Sequence, residues 1–457
     1  MTRGVTRRDA LRSLGALAGA AAGARLVTGC GGGGARGRIS TVVVLMMENR
    51  SYDHYLGSRS LLEGLPGDGL VAGMSNPDAD GVPQLIYRES IDCVADPPHG
   101  WTAARRQFDD GRNDGFVQAY LRSHPGEAPH VMGYFGREEL PAIHGLADAY
   151  TSCDRWFSSV LGPTWPNRLY LLCAQSEGVM TNDLPPTGKY TCPTLMDRLD
   201  AAGIDWVYYF GDAPFLAALE RAPIERMLVF SRFFNDAMNG KLPPVVLIDP
   251  SFTRNDDHPP HHPLLGQQLI ASVHAALAAS PHWDELLFVV TYDEHGGFFD
   301  HVPPPKAPDA RAAEGFDQLG FRVPALVAGP YARRGHVSSV VHDHTSVLRH
   351  IEGLFDLEPL TVRDAAANDL SDCLDAARLE AGDPAPPASL PAVEVDESMI
   401  DRSCFNLGKP TELEQALDTG LLGPRDKLDG RPGWRDQLHL IGDVLDRYNA
   451  GRIRRGR

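Results

Sequence analysis

Short apolar runs alternate with helical patterns along much of the chain. Five runs are apolar enough for buried strands and do not alternate with polar residues: 41–47, 205–210, 244–249, 285–293 and 323–329. Helical patterns lie between several of them, at 166–175, 193–203 and 264–280. Apolar strands that alternate with helices are typical of a mostly parallel sheet covered on both faces. The pattern therefore predicts an α/β fold.

Three stretches depart from this alternation. Residues 60–140 are rich in Gly, Pro and Asp and only weakly periodic, which predicts an excursion that caps a functional site rather than a separate domain. Residues 375–398 are rich in Pro, Ala and acidic residues and are expected to be irregular. The chain after residue 408 favours a small helical tail.

The first 30 residues are predicted to be a targeting segment rather than part of the fold. A twin-arginine pattern at Arg7 and Arg8 precedes a weakly apolar run rich in Ala and Gly. The run ends in VTGC, which is similar to a bacterial lipoprotein cleavage box. We therefore expect export to the cell envelope with a lipid anchor on Cys30. Ordinary signal cleavage, which would give a periplasmic or secreted protein, is the alternative.

The net charge argues against one class of function, and the cysteine content permits disulfides. The formal charge of −17 argues against non-specific nucleic-acid binding, which requires a basic surface. Cysteines other than Cys30 permit disulfides in an exported protein, but the sequence does not fix their pairing. They are Cys93, Cys153, Cys173, Cys192, Cys373 and Cys404. Cys173 lies in a predicted helix and is interpreted as a buried thiol.

Polar residues follow two of the predicted strands directly. Glu48 and Asn49 come after the first strand, and the fourth ends at Asp293, with Glu294 next. Ligand sites in parallel sheets lie beyond the carboxyl ends of the strands, and buried acids there require compensation. The all-oxygen set predicts one hard divalent cation, Ca²⁺, Mg²⁺ or Mn²⁺. For the second pair, a solvated acidic turn is the alternative.

A third motif, LGPTWPNRLYLL, places Thr164 at a predicted helix N-terminus, because Pro166 suits a first helical turn. Backbone N–H groups and the helix dipole favour an anion there. The hydroxyl of Thr164 is therefore a candidate nucleophile that a cation would activate. The alternative is that Thr164 only caps the helix.

Histidines cluster near these motifs. His99, His258 and His301 are the candidates for phosphate binding and for proton transfer to a leaving oxygen. His261 and His262, in contrast, are expected to face solvent.

Five motifs together resemble one family. In chain order they are MMENRSYDHYLG, GPTWPNRLYL, DDHPP, TYDEHGGFFDHVPPP and DHTSVLRHIE. They are similar to those of the bacterial phospholipase C and acid phosphatase phosphoesterases, within the alkaline phosphatase-like superfamily. The resemblance implies a three-layer α/β/α sandwich with a mostly parallel sheet. It covers about residues 38–372 as a catalytic domain and leaves 373–457 as an irregular and helical extension.

The resemblance also implies roles for particular residues. The metal ligands would be Glu48, Asn49, Thr164, Asp293 and Glu294. The catalytic residues would be Thr164, His99 and His301, and the substrate-binding residues His258, His344 and Asn167. In the implied reaction, Thr164 attacks phosphorus in line, a histidine protonates the leaving alcohol, and water hydrolyses the phosphothreonine.

The sequence leaves two hypotheses for the substrate. A phosphoester or phospholipid substrate of a phospholipase C is the first hypothesis and an acid phosphatase monoester the second. Trp165 stands where phospholipases often carry a polar residue, and the long β-rich extension of larger phospholipases C is missing, which favours a smaller phosphoester. An aromatic cage for choline could come from Trp101, Trp165, Tyr52 and Tyr55, which could equally be wall packing.

Other classes are weighed against these two. A non-catalytic phosphate-binding lipoprotein and a structural envelope protein both require Thr164 to be dispensable. A sulfatase is disfavoured, because threonine cannot become the formylglycine that sulfatases carry. The sequence gives no indication of an oligomeric state.

Overall fold

The computed structural model describes residues 37–90, 93–396 and 434–454. The predicted signal segment 1–30, Cys404 and residues 408–433 of the predicted tail lie outside these ranges. Within the described ranges, no helix is both long enough and apolar enough to cross a membrane.

The strands of the described residues are numbered in chain order. They are β1 (Thr41–Met47), β2 (Ser75–Pro77), β3 (Pro83–Leu85), β4 (Tyr87–Arg88), β5 (Gly133–Tyr134), β6 (Thr151–Cys153), β7 (Trp206–Phe210), β8 (Met227–Val229), β9 (Val245–Asp249), β10 (Leu286–Tyr292), β11 (Ala325–Ala328), β12 (His336–Ser338), β13 (Val393–Asp396) and β14 (Gly451–Arg454).

The α-helices are numbered in the same way. They are α1 (Tyr52–Tyr55), α2 (Ser58–Glu63), α3 (Trp101–Phe108), α4 (Phe116–Ser123), α5 (Pro141–Ala149), α6 (Thr164–Cys173), α7 (Leu195–Ala202), α8 (Ser231–Met238), α9 (Pro263–Ala278), α10 (Thr345–Phe355), α11 (Val362–Ala366), α12 (Ala376–Ala381) and α13 (Trp434–Arg447). Short 3-10 helices span Asp109–Gly111, His130–Met132, Phe215–Ala218, Ile224–Arg226, Trp283–Glu285, Ala312–Glu314 and Leu370–Cys373.

A mostly parallel central sheet organises the fold. Its strand order is β12-β6-β11-β10-β1-β9-β7-β8 in the described part of the chain. β1 lies in the interior and pairs in parallel with β10 on one side and β9 on the other. Only β11 runs against its neighbours, β10 and β6. The predicted α/β fold with a mostly parallel sheet is confirmed.

Both faces of the sheet are covered. Every residue of β1 and β10 is buried, so the side chains on either face are shielded from water. α6, α7 and α10 pack against one another in one group, and α5, α8 and α13 pack around α9 in another. All ten residues of α6 are buried, which holds its N-terminus in a fixed position beside the sheet.

The predicted strands recur in the central sheet within a few residues of their expected bounds, but three short strands of that sheet were missed. β6, β8 and β12 have three residues each, too few to form a recognisable apolar run. The sequence also did not predict that β11 is antiparallel, because an apolar run does not indicate whether a strand is parallel or antiparallel to its neighbours.

The excursion over residues 60–140 has a small core of its own. α3, α4 and the strands β2 to β5 lie within it, and its apolar side chains pack together with Leu161, Phe299 and Phe321. It is therefore attached to the main body by a shared core, and it brings His99 to the site.

The C-terminal region is more regular than its composition predicts. The stretch expected to be irregular contains α12 and β13. β13 pairs in parallel with β14, and α9 contacts both β13 and α13. Tertiary packing against α9 therefore orders a segment whose composition favours irregular structure.

The cysteines divide into two kinds. Cys93 is disulfide-bonded. The other cysteines of the described residues are free and buried: Cys153, Cys173, Cys192 and Cys373. The interpretation of Cys173 as a buried helical thiol is confirmed.

A buried charge network joins the segment before β11 to α1 and to the loop after β10. The guanidinium of Arg322 lies 3.0 Å from Asp53 Oδ1 and 2.9 Å from Asp300 Oδ1, and all three side chains are at most 1% exposed. It also donates to the carbonyl oxygens of Asp68 and Asp154.

We predict that Arg322→Met destabilises the protein by about 3–5 kcal/mol, because it leaves Asp300 buried without its cation and Asp53 with His301 alone. Denaturant unfolding measures the change. Arg311→Met is the matched control, since Arg311 pairs with Glu314 at 43% and 49% exposure, and an exposed pair contributes about 1 kcal/mol or less. Equal losses in the two variants would contradict the prediction.

Candidate active site

The predicted ligands meet where β1 and β10 end. Because the strands pair in parallel with Met47 opposite Tyr292, the residues that follow them become neighbours. The backbone N–H of Asn49 donates to Asp293 Oδ1 at 3.0 Å, and the N–H of Glu294 donates to the same oxygen at 2.7 Å. The structure thus brings the two sequence motifs into direct contact.

The backbone at this point is tightly turned. Asn49 adopts a positive φ of 60°, which few residues other than glycine adopt. Gly296 has φ 63°, and a Cβ there would lie 2.0 Å from the carbonyl oxygen of Asn49. Its N–H donates to Glu294 Oε2 at 2.9 Å. The glycine is therefore required for the close approach of the two loops.

Thr164 is the first residue of α6, as its motif predicts. The N-cap position belongs to Pro163, and no side chain caps the helix. The Thr164 hydroxyl instead donates to Asn49 Oδ1 at 3.4 Å. The capping interpretation of Thr164 is therefore wrong, and its hydroxyl points to the predicted ligands.

Asn167 supports the loop before α6. Its side-chain oxygen accepts from the Val160 N–H at 3.0 Å, and its amide donates to the carbonyl oxygens of Gly162 and Pro163 at 3.0 and 3.1 Å. These contacts assign Asn167 to positioning Thr164, while its predicted contact with substrate stays a prediction.

Arg168 is the residue that the sequence reasoning missed. Its side chain lies 3.2 Å from Glu48 Oε1, 2.9 Å from Asp249 Oδ1 and 3.5 Å from Asp293 Oδ2. It also donates to the carbonyl oxygens of Met46 and Met47. The sequence did contain a signal for a buried cation at this point. Asp249 and Asp293 each end a predicted strand, and Glu48 directly follows one.

The acids of the site are held in an unfavourable environment. Burial raises the pKa of Asp293 to about 6, although Arg168 opposes the shift. Burial also raises the pKa of Glu294 to about 7, with His99 opposing. Asp293 Oδ2 and Glu294 Oε1 are buried and accept no hydrogen bond. A cation bound between these acids would favour their ionised forms.

The donor set fits a hard divalent cation. Carboxylate oxygens, an amide oxygen and a hydroxyl are the ligands that Ca²⁺, Mg²⁺ and Mn²⁺ prefer, and oxygens of Asp293 and Glu294 are left over for one. Glu48 Oε1 lies 3.2 Å from Arg168 Nε, which keeps this carboxylate beside the other acids. The site is consistent with a metal.

His99 and His258 lie beside this set. His99 Nε2 lies 3.3 Å from the side-chain nitrogen of Asn49 and 3.8 Å from Glu294 Oε1. Its Nδ1 lies 2.8 Å from the carbonyl oxygen of Pro97, which fixes the ring. The rings of His99 and His258 are 5.5 Å apart, and with Asp96 they form a second group of possible metal ligands.

His344 is placed behind the acids. Its Nε2 donates to the carbonyl oxygen of Asp293 at 2.7 Å, and its Nδ1 accepts from the Trp156 indole at 3.5 Å. Burial lowers its pKa to about 4. Both ring nitrogens are thus engaged, and Nε2 holds the backbone of a predicted metal ligand; substrate binding by His344 stays a prediction.

His301 belongs to the network around Arg322. Its Nδ1 lies 2.7 Å from Asp53 Oδ2 and its Nε2 lies 3.1 Å from Asp68 Oδ1. Burial lowers its pKa, but the hydrogen bond to Asp53 and nearby acids outweigh this and raise it to about 9. Its contacts lie with these acids rather than with Thr164, and its catalytic role stays a prediction.

Two expectations about histidine exposure are wrong. His261 is 8% exposed and His262 is 4% exposed. His261 Nδ1 lies 2.6 Å from Asp256 Oδ1, and His262 caps α9 by accepting from the Leu264 N–H. The local sequence around them, PPHHPLL, carries no periodicity that would show this burial.

The four aromatic residues considered for a choline cage do not assemble into one. Guanidinium groups lie over three of the rings: Arg105 over Trp101, Arg322 over Tyr52 and Arg50 over Tyr55. Trp165 packs edge-on against Phe215. These rings are wall packing, as the alternative interpretation held.

The chain is similar to known proteins over most of its length. Residues 39–358 match the phosphoesterase family. The chain is 34% identical over 380 residues to a protein named non-specific phospholipase C1 from Arabidopsis thaliana, covering 73% of this chain and 70% of that protein. It is 31% identical over 404 residues to phospholipase C B from Mycobacterium tuberculosis, covering 73% and 77%.

We predict that a divalent cation raises Tm more at about pH 8 than at about pH 5. Asp293 and Glu294 have folded pKa values above their unfolded ones, so the metal-free folded state holds more protons. Its stability therefore falls as pH rises through about 4–7, and a cation that binds the ionised acids restores it. Thermal unfolding with and without added cation measures the difference.

The matched control is Glu314→Gln on the surface, which should leave this pH dependence unchanged, whereas Glu294→Gln should reduce it. An equal rise in Tm at both pH values in the wild type would contradict the assignment of these acids as ligands.

Proposed function

Since this chain belongs to the phosphoesterase family, we propose that it hydrolyses phosphoesters in the manner of a phospholipase C, releasing a phosphorylated head group. Family membership makes it a phosphoric ester hydrolase. The preference for a phospholipid substrate is supported by relatives named phospholipase C, of which the chain matches more than two thirds.

One observation carries the proposal: a hydroxyl at a helix N-terminus that faces buried metal-type ligands. Thr164 begins α6, is 2% exposed, and donates to Asn49 Oδ1. In α6 the N–H of Trp165 donates to Asn182 Oδ1 at 2.9 Å, and Pro166 has no N–H. The helix dipole and the N–H of Thr164 are therefore what favour a phosphoryl oxygen there. A nucleophile and an anion site therefore coincide.

Each step of the proposed reaction is assigned to a particular residue of the chain. Thr164 Oγ1 forms a bond to phosphorus while the bond from phosphorus to the leaving alcohol breaks, giving phosphothreonine. His99, beside Asn49 and Glu294, is placed to protonate the leaving oxygen once it carries a second proton. Water then attacks phosphorus and restores Thr164.

Glu48, Asn49, Asp293 and Glu294, with Thr164, would hold one divalent cation, Ca²⁺, Mn²⁺ or Mg²⁺. Such an ion lowers the pKa of a hydroxyl and neutralises charge on phosphoryl oxygens. Arg168 and His344 keep the acids in position, and Asn167 keeps Thr164 in position.

We also propose that the chain is exported through its twin-arginine segment and anchored in the cell envelope by lipid on Cys30. The motif at Arg7 and Arg8 and the cleavage-type box ending at Cys30 support this. A lipid anchor would keep the site close to a membrane surface, where phospholipid substrates are found.

We predict that Thr164→Ala lowers kcat by about a thousandfold or more, because the nucleophile is lost. Hydrolysis of p-nitrophenylphosphorylcholine and p-nitrophenyl phosphate, with cation added back, measures the change. The control is Thr194→Ala at the N-cap of α7, which removes a capping hydroxyl and should cost about 1 kcal/mol of stability without loss of turnover.

The same assay decides the substrate class. Hydrolysis of the choline diester, and of phosphatidylcholine vesicles to diacylglycerol and phosphocholine, is the expected result. Turnover of the monoester alone would instead establish a phosphatase. Full activity of Thr164→Ala would remove the nucleophile assignment, and no turnover from folded, metal-loaded wild type would favour a phosphate-binding lipoprotein.

We predict that replacing Arg7 and Arg8 together with Lys stops export, and that Cys30→Ala releases the protein from the membrane fraction. Fractionation of cells followed by immunoblotting measures both. Cys192→Ala serves as a cysteine control that should leave the location unchanged. Membrane association that persists in Cys30→Ala would rule out the lipid anchor.

A further inference from the structure

A cluster of two cysteines and one histidine lies apart from the residues of the proposed reaction. Cys153 ends β6, Cys373 ends a 3-10 helix, and His342 precedes α10. All three side chains are buried, with exposures of 0%, 0% and 1%. One ligand atom from each lies within 4.8 Å of the others.

The spacing of the sulfur atoms is informative. The Sγ atoms of Cys153 and Cys373 are 3.7 Å apart. Two thiolates bound to one zinc ion at about 2.3 Å with tetrahedral angles lie about 3.8 Å apart, whereas disulfide sulfurs lie about 2.05 Å apart. The present separation thus matches two ligands of one ion without movement of the chain.

His342 gives an independent indication. Both of its ring nitrogens are buried, and neither makes a hydrogen bond of ordinary geometry, although the ring lies beside the Cys373 thiol. A buried polar group without a partner destabilises the fold by about 1–3 kcal/mol. A disulfide between the two cysteines would leave these nitrogens as they are, whereas a cation would bind one of them.

The backbone holds each ligand in place. The carbonyl oxygen of Cys373 accepts from Thr151 Oγ1 at 3.0 Å and from the Arg333 N–H at 2.9 Å. The backbone of His342 exchanges hydrogen bonds with Arg155 and Phe157, both at 2.9 Å. Cys153 is fixed by its place in β6, between β11 and β12.

We propose that Cys153, His342 and Cys373 bind a second metal ion, a thiolate-preferring cation of the Zn²⁺ type. Soft thiolates with imidazole select such ions over the hard cations that suit the carboxylate site. Three protein ligands leave one tetrahedral position for water. Binding releases the two thiol protons to solvent, so affinity falls at low pH.

The ion would be a structural cross-link with a connection to the active site. It ties together three segments that are distant in the sequence. The segment that contains His342 also contains His344, two residues later. The Nε2 of His344 donates to the carbonyl oxygen of Asp293.

The test uses the full chain, purified with a reductant, loaded with Zn²⁺ or Co²⁺ and freed of excess ion. We expect wild type to retain one equivalent of Zn²⁺ that Cys153→Ser and His342→Ala lack, measured by elemental mass spectrometry. With Co²⁺, wild type should show a thiolate-to-metal charge-transfer band that Cys153→Ser loses.

Two controls isolate this site. Cys192→Ser removes a buried thiol elsewhere and should keep the band, and Glu48→Ala disrupts the carboxylate site and should also keep it. His342→Gln provides a second histidine variant if His342→Ala fails to fold. Equal Zn²⁺ content in wild type and Cys153→Ser would overturn the proposal. A Cys153–Cys373 disulfide, found by alkylation and mass spectrometry of the reductant-free protein, would overturn it too.

Discussion

The guanidinium of Arg168 is the fixed positive charge around which the buried acids of the site are arranged. It contacts Glu48, Asp249 and Asp293, which follow or end three different parallel strands. Carboxylates this deeply buried are stable only beside a cation, and one arginine serves all three. Because Arg168 lies one helical turn after Thr164, the same residue ties α6, which begins with the proposed nucleophile, to the ends of the strands.

The close turn at Asn49 is the second constraint. Its positive φ and the approach of Gly296 bring the loops after β1 and β10 together. The amide oxygen of Asn49 can then face the Thr164 hydroxyl while its N–H holds Asp293. A strained backbone at a site is maintained only where the surroundings determine it, and here the fully buried strands supply that rigidity.

The histidines show how local sequence and tertiary placement differ. His99 comes from the capping excursion and reaches the ligands, whereas His344 and His301 are engaged by Asp293 and by the Arg322 network. His301 and His344 lie within the family motifs and His99 lies outside them, so position in a motif did not show which histidine reaches the predicted ligands. His261 and His262 were expected to face solvent, yet the fold buries them.

The sequence by itself determined the fold class and the polar residues that meet at the strand ends, because buried parallel strands leave long apolar runs and their carboxyl ends share one edge. It also determined the helix start at Thr164, through Pro166. Only the tertiary structure decided the partners: Arg168 with three acids, His344 behind Asp293, and Cys153 with His342 and Cys373. Such contacts join positions far apart in the chain, and no local pattern records which of them the packing of α6 and β6 brings together.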